Sequence, residues 1–532
     1  KLSFIVFILT FLIFVVGCND DSDKSLAVIP LPNEYNLEPG KEFVFTDAIK
    51  IAVSDSNDEK LQELQKLFVD IVNRDLSISL NQVNVEQLSI DKYVLFDLTW
   101  ESDSEEAYQL LVTEQYIKLS ARDYQGLFYG IQTLRQLMFH GAPQSVPLVT
   151  IIDQPQFTHR GLMLDVSRHF FTVAEIKKTL DIMSLYKLNT FHWHLTDDQG
   201  WRIEIEKYPL LTEIGAYRPE TILAKNFDPY IGDGIPHSGF YSKADIIELV
   251  AYAKARYITI IPEIDMPGHM SAAIAAYPEL GCRSKQIDVP TRWGVFTNVL
   301  CPKEFTFSFL EDVLQEVMVL FPSGKIHLGG DEVPPWAWQQ SEQAQSFIAS
   351  TGLKDESALH HYFFQRMAEY LKQYGRQAIG WDDILAEGEL DNTSVMAWQD
   401  LNQATLAAKA GLEVILSPNE FTYLNYYQGQ QSEEPLAQCC SLPIEKVYQF
   451  NPILSDLSVE QQANVVGLQA NLWTEYITTQ AHLEYMLMPR LMAIAEVAWT
   501  EQGNMSWQDF EKNYKANFAF LDSLGVGYRE KK

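Results

Sequence analysis

Acidic, imidazole and indole side chains recur along this chain at the ends of short apolar runs. The first run closes on Asp165-Val166-Ser167-Arg168-His169, the second on His194-Leu195-Thr196-Asp197-Asp198, the third on Glu263-Ile264-Asp265-Met266-Pro267-Gly268-His269. Gly329-Gly330-Asp331-Glu332, Trp381-Asp382-Asp383, Trp398 and Asn471-Leu472-Trp473-Thr474-Glu475 follow in the same kind of position. Any one of these has a structural explanation, since a lone Asp-Glu pair is usually solvated and a lone Trp usually packs. Their recurrence changes the balance. Paired carboxylates beside aromatic platforms suit glycosidic cleavage: the leaving oxygen needs a proton from an acid, the anomeric carbon needs an anionic or nucleophilic partner, and sugar C–H faces stack on indole rings. A divalent-metal hydrolase is the rival chemistry, because His192, His194 and the Asp pairs have ligand-type donors. It is the weaker reading, since Trp193 between the two imidazoles and the apolar surroundings point to a structural role for at least one of them.

The elements that must position these groups follow from periodicity. Strands are expected at Leu162–Leu164, Thr190–His194, Thr259–Ile264, Lys325–Leu328, Gln377–Trp381, Val395–Trp398, Glu413–Leu416 and Val465–Gln469, with helices between several of them. Thr172 with Glu175, Ser242 with Asp245 and Ser308 with Glu311 read as helix starts, and Gln480 to Trp499 as one long apolar helix. This alternation over residues 156–505 predicts an α/β architecture, a (β/α)8 barrel with enlarged loops. A doubly wound sheet is second, weakened because no Gly-x-Gly-x-x-Gly turn follows an early strand. Barrel chemistry gathers where strands end and loops begin, which is where the groups above stand. Ahead of the barrel, residues 26–155 mix strands such as Ile49–Val53 and Tyr116–Leu119 with helices over Leu61–Val72 and Gly126–Met138, a smaller α+β domain whose boundary falls in Pro143–Pro155. Residues 506–532 read as a C-terminal helical extension.

The 532 residues are 47% hydrophobic and carry 40 basic against 71 acidic side chains, a net charge of −31. That field repels nucleic acid and anionic lipid head groups, so neither is an expected partner. Lys1 followed by the apolar run Leu2 to Gly17 has the parts of a secretory signal and is shorter than the roughly 20 residues of a bilayer span. Ending on Cys18, it resembles a bacterial lipoprotein signal: residues 1–17 are removed, Cys18 is lipidated, and 18–25 form a polar tether. A plain signal peptide with an incidental cysteine is the alternative. The resemblance implies an exported protein, in the outer membrane or periplasm of a Gram-negative cell, touching membrane only through its lipid. In such a compartment Cys282 and Cys301 are expected to form a disulfide across a loop rich in Asp, Pro, Arg and Gly, whereas adjacent Cys439 and Cys440 have no pairing rationale.

Longer motifs carry a family resemblance. Arg160-Gly161-Leu162-Met163-Leu164-Asp165-Val166-Ser167-Arg168-His169-Phe170, Phe191-His192-Trp193-His194-Leu195-Thr196-Asp197-Asp198-Gln199-Gly200-Trp201-Arg202, Pro262-Glu263-Ile264-Asp265-Met266-Pro267-Gly268-His269 and His327-Leu328-Gly329-Gly330-Asp331-Glu332 resemble glycoside hydrolase family 20, the β-N-acetylhexosaminidases. The resemblance implies retaining, exo-acting removal of terminal β-linked N-acetylglucosamine or N-acetylgalactosamine from a glycan, with the substrate's own acetamido oxygen as nucleophile and neither metal nor organic cofactor. Such enzymes are an exception to the two-carboxylate rule for glycosidases. By resemblance Glu332 is the general acid/base, Asp331 the partner of the acetamido N–H and of the cationic intermediate, and His269, backed by Asp197, the relay to Glu332. Arg168 and Glu475 would hold sugar hydroxyls, Trp381, Trp398 and Trp473 would wall the acetamido group, and Tyr423 would donate to its oxygen. Asn425 stands where many bacterial members carry an acid, which bears on the choice of amino sugar. Two alternatives are a surface lipoprotein that captures glycans without cleaving them, and a relative that releases a disaccharide or cleaves poly-N-acetylglucosamine.

Overall fold

The computed structural model describes residues 26–88, 92–386 and 388–530, so the expected signal peptide, Cys18 and the tether lie outside the described residues. Residues 34–153 form a seven-stranded mixed sheet in the order Glu34–Val44, Ser145–Asp153, Tyr108–Val112, Tyr116–Ala121, Tyr93–Asp97, Lys50–Val53, Asn81–Gln82. Helices Glu59–Leu76 and Tyr124–His140 cover it. The first begins where the Asp58 side chain accepts from the Leu61 amide, and buries Leu61, Leu64, Phe68, Ile71 and Val72 at helical spacing. The sheet ends at Asp153. Within the stretch Pro143–Pro155, Ser145–Asp153 is a strand paired on both sides, with Pro147 beside the irregularity in its partner strand between Glu38 and Glu42, so Pro147 belongs to the sheet rather than to a linker.

The second domain is a closed parallel barrel. Its strands are β1 (His159–Asp165), β2 (Thr190–His194), β3 (Thr259–Glu263), β4 (Lys325–His327), β5 (Gln377–Trp381), β6 (Thr393–Ala397), β7 (Glu413–Leu416) and β8 (Val465–Leu472), with β8 closing on β1. The sheet domain docks beside the N-terminal ends of the first two strands. There Arg160 pairs with Glu106 at 2.8 Å, Lys187 with Asp153 at 3.3 Å, and the Trp499 indole donates to Asp153 at 3.0 Å. A cavity of about 1940 Å³ lies along this seam, lined in part by Arg135, Asp181, Arg256 and Lys325. These four are ion-paired with Asp75, with each other or with Glu413, and none of the chemistry-bearing strand ends reaches it.

Thr172/Glu175 and Ser242/Asp245 form the expected reciprocal caps. Ser308 does not start a helix: the element runs Glu304–Leu320, and its buried face already begins at Thr306 and Phe307, so packing rather than a cap sets its first turn. The apolar stretch from Gln480 is two helices, Gln480–Leu487 and Arg490–Trp499, broken at Pro489, which has no amide to donate. The C-terminal helix Trp507–Ser523 is no appendage, because Phe510, Tyr514, Phe520 and Leu521 enter the barrel's core cluster. Cys282 and Cys301 are joined as expected, with Cα atoms 4.6 Å apart, and Cys439 and Cys440 are joined to each other. Among the described residues no helix is long and apolar enough to cross a membrane.

Candidate active site

Asp165, His194, Glu263 and His327 lie in register on the adjacent strands β1 to β4 and are fully buried. Four ring nitrogens surround the Glu263 carboxylate. Its Oε1 accepts from the Trp381 indole at 2.9 Å and lies 3.0 Å from His327 Nδ1; its Oε2 lies 3.0 Å from His192 Nε2 and hydrogen-bonds His194 Nδ1. His192 and His194, the imidazoles of the rival metal reading, thus both turn to one carboxylate, and His192, Glu263 and His327 together form a donor set of metal-ligand type. Burial opposes a charge on Glu263, yet the imidazoles of His194, His327 and His192 hold its carboxyl well below the usual range.

At the level of the loops, His194 Nε2 meets Asp197 Oδ2 at 2.8 Å, and Asp197 also meets Arg168 Nη2 at 2.9 Å. His269 Nδ1 stands 3.0 Å from Asp198 Oδ2 and 3.2 Å from Asp197 Oδ1, so the expected single backing carboxylate is a pair and Asp198 is the nearer. The reason is local: Asp197 and Gly200 pair as the tip of a tight hairpin, and the consecutive carboxylates 197 and 198 are both buried there. Asp198 is fixed in turn by the Ser271 amide at 3.0 Å and the Ser271 hydroxyl. On its other side, His269 Nε2 lies 3.4 Å from Glu332 Oε2 and 3.7 Å from Asp331 Oδ2.

The loop carrying these acids is strained. Gly329 and Gly330 have φ of 66° and 93°, and Glu332 itself sits at 49°, as His269 does at 51°. A Cβ on Gly329 would come within 1.8 Å of Asp265 Oδ1, which explains a glycine there beyond its dihedral. The two acids differ in proton affinity. The hydrogen bond from His269 holds Glu332 below the ordinary glutamate value, outweighing its partial burial. Burial pushes Asp331 up to about 7, with Asp383 and Glu332 adding to the rise and the His269 charge opposing it. Adjacency of two acids by itself raises the proton affinity of each, Glu332 included. The rise falls on Asp331 because it is the more deeply buried and lies farther from the imidazole.

Trp381, Trp398 and Trp473 gather over Ile261, Ile379, Met396 and Ile415. The rings of Trp381 and Trp473 are 5.9 Å apart, Trp398 and Tyr423 stack at 6.2 Å, and the Trp398 indole donates to Asp383 Oδ2 at 2.9 Å. Tyr423 is placed by a bridge between its backbone and Asn471 at the end of β8. Arg168 lies over the Trp473 ring, anchored by Asp197, by Asp165 at 3.3 Å and by Gln199 Oε1 at 2.9 Å. Asp331 Oδ1, Asn425 Oδ1 and Glu475 Oε2 are buried without a hydrogen-bond partner among the described residues, a costly arrangement unless a polar ligand meets them. Burial pushes Glu475 up to about 7, against the nearby Arg168 charge. Arg168, Asp197, His269, Asp331, Glu332, Trp381, Trp398, Tyr423, Trp473 and Glu475 are thus linked by contacts or charge at the strand ends of the barrel. The supporting groups Asp198, Gln199, Asp265 and Asp383 stood in the same motifs but carried no signal separating support from chemistry.

The family model of the glycosyl hydrolase family 20 catalytic domain matches residues 157–502, and that of the same family's domain 2 matches residues 25–154. The chain belongs to glycosyl hydrolase family 20. A β-hexosaminidase of Porphyromonas gingivalis is 39% identical over 517 residues, covering 95% of this chain, which spans 64% of that protein's length. The structure of a family 20 exo-β-N-acetylglucosaminidase from Vibrio harveyi, in complex with N-acetylglucosamine, superposes with a TM-score of 0.82 at 31% identity, covering 95% of this chain and 78% of that one. A β-N-acetylhexosaminidase from Bacteroides fragilis superposes at 0.79 with 32% identity, covering 94% and 96%. The two matched family 20 segments meet within Gln154–Phe157, where the sheet domain ends.

Proposed function

We propose that this chain is a retaining exo-β-N-acetylhexosaminidase that removes terminal β-linked N-acetylglucosamine or N-acetylgalactosamine from glycans. The observation that carries the reading is Asp331 and Glu332 beside a cluster of three tryptophans, joined to it through Asp383, with His269 within 3.4 Å of the outer acid. In this reading the imidazole and Glu332 share the proton that goes to the glycosidic oxygen as the bond breaks. The acetamido oxygen attacks the anomeric carbon, and Asp331 holds the acetamido N–H while its charge stabilises the cationic oxazolinium. Glu332 then takes a proton from the incoming water. Trp381, Trp398 and Trp473 fold the acetamido group under the ring, and Tyr423 donates to its oxygen. Arg168, Asn425 and Glu475 hold the outer hydroxyls. A glycan-capture protein would need no acid with an orienting imidazole.

The test is release of nitrophenol from the β-N-acetylglucosaminide and the β-N-acetylgalactosaminide, with and without chelator. Turnover that survives chelation supports acetamido participation and ranks the two sugars. Glycan binding without turnover overturns it. We further propose that the protein is exported and anchored through Cys18, a reading supported by the run Leu2 to Gly17 ahead of that cysteine. Incorporation of labelled palmitate into the wild type and not into Cys18→Ser is the expected result; equal labelling of the two contradicts it.

A further inference from the structure

Two parts of the proposed reaction need separate positioning: the indole wall beneath the acetamido group, and the proton relay behind Glu332. They stand on different strands and loops, β5 for Trp381 and the loops after β2 and β3 for Asp197 and His269. One buried side chain touches both. Glu263 Oε1 takes the Trp381 indole N–H at 2.9 Å, and Oε2 takes His194 Nδ1, whose other nitrogen reaches Asp197 at 2.8 Å. From Asp197 the contacts continue to His269 at 3.2 Å and from there to Glu332 at 3.4 Å.

We propose that Glu263 is a positioning residue that fixes the acetamido wall and the acid–base relay relative to each other, with His194 as the link between them. The geometry of His194 supports this directly. An imidazole with a carboxylate at each nitrogen needs a proton on each, so His194 is a cation between two anions and cannot rotate without losing one of them. Burial opposes that charge, and Glu263 and Asp197 override it, holding its pKa well above the ordinary histidine value. The groups around the pair are accounted for: His192 and His327 on the Glu263 carboxylate, the Trp473 ring 4.9 Å from His194, and the carboxyls of Asp265 and Asp331 within electrostatic reach of Glu263. Neither Glu263 nor His194 meets the substrate in this arrangement; both act through residues that do.

This inference rests on the proposed hexosaminidase reading, and its test separates the two. Glu263→Gln keeps the shape but can no longer accept at both oxygens. It should lower kcat by about 10–100-fold with a much smaller change in KM, and weaken binding of a thiazoline analogue of the intermediate, which fills the acetamido pocket. His194→Gln leaves the Glu263–Trp381 bond in place. It should cost more rate with a poor leaving group than with nitrophenol, and leave thiazoline affinity near that of the wild type. Wild-type rates in His194→Gln, or a thiazoline loss equal to that of Glu263→Gln, overturns the link. A wild type that turns over no aryl substrate counts against the hexosaminidase reading instead. Should the variants fail to fold, ¹⁵N-histidine spectra of the wild type decide: both ring nitrogens of His194 should stay protonated from about pH 5 to 8. Loss of either proton in that range overturns the proposal.

Discussion

His269 and Glu332 face each other at 3.4 Å, each at a backbone φ near 50° that a non-glycine residue adopts only under constraint. The constraint comes from both sides of the contact. His269 is pinned by Asp197 and Asp198, and Glu332 follows two glycines, the first packed against Asp265. The contact makes the proton a property of the pair. His269 is held well above its ordinary pKa: burial works against it, but the charge of Asp197 and the hydrogen bonds to Asp197, Asp198 and Glu332 outweigh burial. An imidazolium that hands its proton to Glu332 as the glycosidic oxygen develops charge leaves the free carboxyl ionised without depriving the reaction of an acid.

The pH dependence should show this division. In the proposed reaction Asp331 must be anionic to hold the acetamido N–H, and burial pushes its pKa up to about 7. As the pH falls through that value the anion is lost, so kcat/KM should fall on the acid side with an apparent pKa near 7 rather than near the ordinary aspartate value of about 3.9. Asp331→Asn should abolish this limb and lower the rate of intermediate formation by about 100-fold or more. An acid limb unchanged in Asp331→Asn would refute the assignment.

Replacing Glu332 by Gln removes the acid and keeps the side-chain shape. Substrates with a poor leaving group should lose about 100–10,000-fold in kcat, and nitrophenyl glycosides far less, since nitrophenolate departs with little help. The comparison is a ratio of two rates on one protein, so partial misfolding does not imitate it. Equal losses on both substrates would remove Glu332 from the acid role.

Much of this arrangement was legible in the sequence because barrel geometry turns strand ends into neighbours. Asp331, Glu332, His269, Arg168 and the three tryptophans were found at strand ends, and the closed barrel brings those ends together. What escaped was support. Nothing in Asp197-Asp198 distinguishes which carboxylate lies nearer His269, since that depends on the hairpin closed by Gly200. The direction of the Glu332 shift also escaped, because it is set by the His269 contact and by relative depth rather than by the adjacency of two acids. The cap at Ser308 failed because the apolar face of the helix outweighed a local cap signal, and turn residues did not reveal that Ser145–Asp153, inside the stretch Pro143–Pro155, pairs as a strand.

The bridge joins Cys282 and Cys301 across a sequence separation of 19, closing a loop that carries Trp293, next to His169 and Arg218. A loop of this length gives about 3 kcal/mol by restricting the unfolded chain. The double variant Cys282→Ser, Cys301→Ser should therefore melt several degrees lower in calorimetry. Because Leu300 and Cys301 donate amides to Pro267 and Leu280, the loosening should also reach the segment before His269 and lower kcat. An unchanged melting temperature would mean that the loop is held by those hydrogen bonds alone.

Stability should depend on pH in a direction set by buried carboxyls. Burial pushes Glu496 up to about 8, against the Leu31 amide and Lys187, and pushes Glu475, Asp331 and Asp382 up to about 7. A carboxyl with a folded pKa above its unfolded value of about 4 binds its proton more tightly when folded. Its contribution is complete below that unfolded value and is lost as pH rises through the folded one. The lowered groups Glu263 and Glu332 act in the opposite sense, and their contribution is lost only on acidification below about pH 4, outside this window. Seven histidines that burial holds below the ordinary value, His140, His159, His169, His192, His237, His360 and His482, oppose this up to the unfolded histidine value of about 6.5. The melting temperature should therefore fall by a few degrees between about pH 7 and 8. Glu496→Gln keeps an acceptor for the Leu31 amide and removes the ionisation, so it should flatten that slope at its alkaline end. A melting temperature that rises across this interval, or a slope unaffected by Glu496→Gln, would contradict the assignment of these protons.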